Sequence, residues 1–104
     1  MLFRWDGSQV VLENSMNFRS FKVVVPGSGK DAEKVQRAFA AIGRFETEQV
    51  FWVFEAALRG WPTCIAQPDW QSGLDAMIAK AAPHGWVDAA TGAIRAHVEF
   101  EEQS

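Results

Sequence analysis

Five consecutive large apolar residues, Val50-Phe51-Trp52-Val53-Phe54, form the longest such run in the chain, and the rest of the molecule has to cover them. Two backbones suit the run. As a strand it is a short β-branched and aromatic segment of the kind buried in sheets. As a helix, Thr47 is an N-cap, Glu48 sits in the first turn and Arg59 in the last, each matching the helix dipole. Gly60 then takes the left-handed position past the end and Pro62 prevents resumption. Punctuation at both ends and the helix-favouring Glu55-Ala56-Ala57-Leu58-Arg59 argue for a helix over residues 47–59. In that helix Val50, Phe54, Leu58 and Trp61 form one apolar stripe. Glu48, Trp52, Glu55 and Arg59 form another, which leaves Trp52 between two carboxylates. An indole there is either covered by the chain itself or offered to a partner protein.

A chain of 104 residues suits a single globular domain, here residues 1–104, with a core of its own. A hydrophobic content of 48 % excludes a disordered chain. The single cysteine, Cys64, excludes an internal disulfide framework. Met1-Leu2-Phe3-Arg4-Trp5-Asp6 carries charge too early for a secretion signal, and no apolar run approaches a membrane span. The expectation is a soluble protein of a reducing compartment, most simply cytoplasmic. A net charge of −3 opposes general nucleic-acid binding. The charge is uneven: residues 1–44 hold seven Lys or Arg against four acids, and residues 45–104 hold three against nine. Such polarity serves partner steering or head-to-tail association when folding keeps the halves apart.

Residues 2–5 and 8–13 read as strands joined at Asp6-Gly7, a hairpin signal, with Val10 and Leu12 inward. Phe18 to Val25 reads as a third strand, with Phe21, Val23 and Val25 on one face. Asp31 is placed to cap a helix over about 32–42, where Val35, Phe39 and Ile42 make the apolar stripe. Asp69 or Ser72 caps a further helix to Ala82, with Trp70, Leu74, Met77, Ile78 and Ala81 inward. Pro83-His84-Gly85 breaks it, and Trp86-Val87-Asp88 pairs back as a short strand. From Ala93 to Glu101 the alternation is strict: Ile94, Ala96, Val98 and Phe100 against Arg95, His97, Glu99 and Glu101.

One buried and one wet face imply an α+β fold: a single antiparallel sheet with helices packed on one face, in the order β-β-β-α-α-α-β-β. If the central segment is a strand, the order from residue 18 becomes β-α-β-β-α-β. That order resembles the ferredoxin-like arrangement, an analogy of fold that carries no function.

No constellation in the sequence announces chemistry. Val23-Val24-Val25-Pro26-Gly27-Ser28-Gly29-Lys30-Asp31 imitates a phosphate loop, but the first required Gly is Val24 and the Ser or Thr after the Lys is Asp31. No cofactor is implied. Cys64, His84 and His97 lack metal-ligand spacing, so no metal is expected. Weak catalytic candidates are His97 beside Glu99, His84, Glu55, and Cys64 if a histidine reaches it. Lys30, Lys34, Arg37 and Arg44 fall along one side of the first helix as a basic stripe. The primary expectation is a protein-interaction module, such as an adaptor, inhibitor or antitoxin-like protein, using Trp52, Glu48, Glu55 and Arg59. The alternative is a small homodimeric ligand-binding protein or enzyme with an aromatic-lined pocket. A closed cavity near His84 or His97 favours the second, and an exposed patch around Trp52 the first.

Overall fold

The computed structural model describes residues 1–27 and 32–101. Six strands form one mixed sheet: β1 (Leu2–Trp5), β2 (Val10–Glu13), β3 (Lys22–Pro26), β4 (Gly43–Phe45), β5 (Val50–Val53) and β6 (Ile94–Glu101). Three helices accompany them: α1 (Ala32–Ala40), α2 (Glu55–Arg59) and α3 (Pro68–Ala81), the last running into a 3₁₀ turn at Ala82–His84. The spatial order is β2-β1-β3-β6-β5-β4. No helix among the described residues is long and apolar enough to cross a membrane.

The expected antiparallel sheet is corrected to a mixed one. β1 pairs with β3, and β3 with β6, in parallel; the other three pairings are antiparallel. The reason is connectivity. Residues 14–21 carry the chain from β2 past β1 to its far side, where β3 runs alongside β1, and β6 inserts between β3 and β5, antiparallel to β5 and parallel to β3. From β3 onward the elements follow β-α-β-β-α-α-β, and the layout is not ferredoxin-like. A split βαβ unit leaves room for an inserted strand; here both β6 and β5 lie between β3 and β4.

The helix expected over 47–59 is also corrected. Val50–Val53 is a strand, and only Glu55–Arg59 is helical. A helix would have spread this run around its whole circumference. A strand sends Phe51 and Val53, both 0 % exposed, into the core and turns Val50 and Trp52 to the other face. Thr47 uses its capping chemistry differently: its Oγ1 accepts from the Gln49 amide at 3.0 Å and closes the β4–β5 hairpin. Gly60 ends α2 at φ −87°, outside the left-handed region. The β4 strand was not expected; it begins where Gly43 ends the approach from α1.

The helices share one core with one face of the sheet. Val35 and Phe39 of α1, Leu58 of α2, and Trp70, Leu74 and Met77 of α3 meet Phe3, Val23, Phe51, Val53, Ile94, Ala96 and Val98. Phe51 is the hub of a phenyl cluster, edge-on to Phe45 at 4.7 Å and to Phe39 at 5.6 Å. Burying such a ring contributes about 2–3 kcal/mol. The alternation expected in the last strand is present: Ile94, Ala96 and Val98 are buried while Arg95 and His97 are exposed. Phe100, past the helical cover, is 58 % exposed. Asp31 lies outside the described residues, so its capping role is not addressed. Neither Asp69 nor Ser72 caps α3, because the helix starts earlier, with Pro68 in its first turn and Gln67 before it. Trp86-Val87-Asp88 pairs back at one bridge only, Val87 with Ile94.

Two turns are tied by aspartates. Asp6 accepts from the amides of Ser8 and Gln9, both at 2.9 Å, closing β1–β2. The Gln9 and Ser8 amides hold the Asp6 carboxyl below the usual carboxylate range. The Ala90 amide, the Thr91 hydroxyl and, more weakly, Arg44 do the same for Asp88. A depressed folded pKa stabilises the fold above the unfolded value, near pH 4, and that stabilisation is lost as pH falls through the lowered value. Asp6→Ala and Asp88→Ala are therefore expected to flatten the acid limb of a stability-versus-pH profile from urea titrations.

Gly43 is a packing requirement. A Cβ there would be driven into the Trp52 carbonyl oxygen and the Phe51 ring. Gly43→Ala is expected to cost about 2–4 kcal/mol in urea unfolding, because the neighbouring strand cannot move aside. An unchanged midpoint would show that β4 is not held against β5 as described.

Candidate functional site

The first residues of β6 outrun their neighbour on one side. β3 joins the sheet only at Lys22, opposite His97, so Ile94 and Arg95 have no β3 residue beside them. β5 occupies the opposite side of β6. The vacated side is taken by the return from α3, through the Val87–Ile94 bridge and an Arg95 amide bond to the Trp86 carbonyl at 2.8 Å. Between this return, α3 and residues 18–21 lies a cleft of about 540 Å³.

The cleft wall made by residues 18–21 is fixed from several sides. The Met1 amino group donates to the Asn17 and Ser20 carbonyls at 2.7 and 3.1 Å. Burial, and secondarily Lys22, holds this amine below its ordinary pKa. Trp70 Nε1 donates to the Ser15 carbonyl at 2.9 Å. The Phe18 ring fills the space where a side chain on Gly73 would stand. This part of the chain was expected to be strand from Phe18 onward. It turns instead, and the strand starts at Lys22.

Phe18, Phe21, Val50, Met77, Ala81 and Ile94 give the cleft an apolar interior. His84 and Trp86 stack at its rim, centroids 4.4 Å apart and planes 20° from parallel. The turn Pro83-His84-Gly85 brings the rings together, closed by Gly85 and Trp86 amides donating to the Ala82 and Ala81 carbonyls. His97 enters from β6, and the charged lining side chains are Arg19, Lys80 and Arg95. Among the described residues no carboxylate lines the cleft.

The structure thus brings together two of the four weak catalytic candidates, His84 and His97, and separates the others. Cys64 is 1 % exposed, does not line the cleft, and has the Thr63 hydroxyl, 3.7 Å away, as its sulfur's polar neighbour. Glu99 is engaged by Lys22 at 3.0 Å and not by His97. Glu55 belongs to a strut: Arg59 Nε donates to it at 3.1 Å, while the same guanidinium bonds Gln71 Oε1 at 3.1 Å and pairs with Asp75. Gln71 Nε2 returns two bonds, to the Arg59 and Cys64 carbonyls at 3.0 and 3.1 Å. Asp75, then Glu55, hold the guanidinium pKa above its ordinary value.

The residues expected to form a partner surface, Trp52, Glu48, Glu55 and Arg59, do not share one helix. Glu48 is exposed in the β4–β5 turn, Glu55 and Arg59 tie α2 to α3, and Trp52 lies on a strand. Its cross-strand neighbours are Arg44 and Arg95, cations where carboxylates were expected. The ring is half-buried, and its Nε1 is buried without a partner among the described residues. The basic stripe is broken as well. α1 ends at Ala40, so Arg44 sits on β4, 3.7 Å from Asp88. Lys34 and Arg37 stay on α1 beside a shallower groove floored by Trp5 and Trp61; Lys30 lies outside the described residues.

Sequence reasoning missed Arg19, Lys80, Arg95 and Trp86 as members of one site. A signal was present: two of the three cations in the acidic half of the chain, Lys80 and Arg95, end up here. Among the described residues no three His, Cys, Asp or Glu side chains are grouped to hold a metal ion. Comparison of the chain with family models, curated proteins and solved structures finds no match.

Arg59→Met keeps the aliphatic stem and removes the strut. Faster amide exchange is expected at Leu58 and Gly60, with a stability loss of about 1–3 kcal/mol. Exchange unchanged at both amides would show that α2 is held by Leu58 burial alone.

Proposed function

We propose that this protein binds a small molecule in the cleft between residues 18–21, the end of α3 and the start of β6. The carrying observation is the cleft itself. Its volume of about 540 Å³ falls in the range of small-ligand sites, and its lining combines apolar and aromatic side chains with polar and charged ones. The cleft is formed within one chain, so the reading needs no second copy. One support for reading the protein as an interaction module was an indole among carboxylates on a helix. Trp52 on β5, flanked by two arginines, removes that premise. The remaining large apolar side chains at the surface, among them Met16, Phe45 and Ile65, are dispersed in the sequence.

Binding here is non-covalent. Cys64 is sealed away from the cleft, and Glu99 is paired with Lys22, so neither assists His84 or His97.

The test is a two-dimensional NMR titration with a panel of small aromatic compounds. Shifts are expected at Val50, Met77, Ala81, Trp86 and Ile94. Ser20→Trp, a substitution at an exposed lining position, is expected to abolish them while the circular dichroism spectrum is kept. Shifts centred on Trp52 and Arg44 that survive Ser20→Trp would move the binding surface to the open face of the sheet and overturn the proposal.

A further inference from the structure

We infer that the ligand of this cleft is an aromatic anion: a carboxylate or phosphate carried on a planar ring. The inference rests on the cleft being the binding site, and adds the ligand's charge and shape.

The charge argument starts from composition. The chain has 13 acidic and 10 basic residues, yet the cleft gathers Arg19, Lys80 and Arg95 with no acid among the described residues in its lining. The other cations are deployed differently. Arg4, Lys22, Arg44 and Arg59 each pair with at least one carboxylate, and all but Lys22 and Arg44 with two. Among the described residues Arg19, Lys80 and Arg95 make none of these pairs. They come from three separate elements: the segment before β3, the last turn of α3 and the second residue of β6. A concave, low-dielectric wall focuses the field of such a group, so an anion entering it gains more than on an open surface. Lys34 and Arg37 are also free of these ion pairs, but their groove is shallower and more open.

Shape follows from the rings. His84 covers one face of the Trp86 indole, and Trp86 remains 44 % exposed. That leaves indole surface for a second stacking partner. Phe18 and Phe21 line the same cleft and add aromatic surface to it. The arginines bind carboxylate and phosphate alike through paired N–H donors, with the imidazoles of His84 and His97 as further donors.

Calorimetry on the intact chain with one ring and four substituents tests this: 2-naphthoate, 2-naphthyl phosphate, 2-naphthol and 2-naphthylmethylammonium, with octanoate as an anion lacking a ring. At least one naphthyl anion is expected to bind about ten-fold or more tighter than naphthol, with the ammonium weakest. The tighter of the two identifies the head group as carboxylate or phosphate. Octanoate is expected to bind several-fold more weakly than naphthoate. Arg95→Gln and Lys80→Gln should each weaken the anions and leave naphthol unchanged. Naphthol or the ammonium binding as tightly as the anions, with all binding lost in Ser20→Trp, would overturn the charge assignment and leave the cleft as a site. Octanoate matching naphthoate would overturn the ring. No binding by any of the five would overturn the cleft reading together with this inference.

Discussion

The arrangement of this molecule depends on the two-sided pairing of β6. This strand lies inside the sheet, parallel to β3 on one side and antiparallel to β5 on the other. A strand paired on both edges cannot shift by one residue without turning Ile94, Ala96 and Val98 out of the core and Arg95, His97 and Glu99 into it. That constraint fixes the position of β5, and so sets Phe51 beneath α1 and Trp52 on the opposite face. It also decides where the cleft lies. β6 is eight residues long and β3 only five, so the leading end of β6 meets the return from α3 where a β3 residue would otherwise stand.

The ion-paired region of the sheet and the cleft resolve polar groups in different ways. On the face away from the helices, Arg4 is paired with Glu13 and Glu101, and Lys22 with Glu99. These half-exposed pairs contribute little individually to stability, but they neutralise a surface that would otherwise hold isolated charges. At the cleft the opposite holds: charges of one sign gather beside aromatic surface. A fold has no stability reason to collect like charges. The contrast within one small sheet separates a surface organised around its own charges from one left with a net field.

Much of the architecture was legible in residue patterns. The β1–β2 hairpin, the stripe of Val35 and Phe39 on α1, the inward face of α3 and the alternation along β6 are all periodicities, and local geometry converts each directly into a buried face. The central segment was not legible, for a specific reason. Thr47 binds an amide two residues ahead both when it caps a helix and when it closes a turn. Glu55 to Arg59 is a good helix former and is helical, so the punctuation was real but belonged to a shorter element. The site was half legible. His84 and His97 stood out by rarity, whereas Arg19 and Lys80 looked like ordinary surface charges because the 18–21 turn and the end of α3 are far apart along the chain.

By itself the sequence determined the buried faces of the regularly patterned elements, α1, α3 and β6 as far as Val98, since hydrophobic periodicity is local and each element carries its own record of it. Tertiary structure alone decided strand order, the parallel pairing of β3 with β1 and β6, the arginines beside Trp52 and the gathering of cations around the cleft. These depend on which distant segments meet. Meeting is settled by the collective packing of Phe51, Ile94, Trp70 and their neighbours into one core, a sum over the whole chain that no single stretch contains.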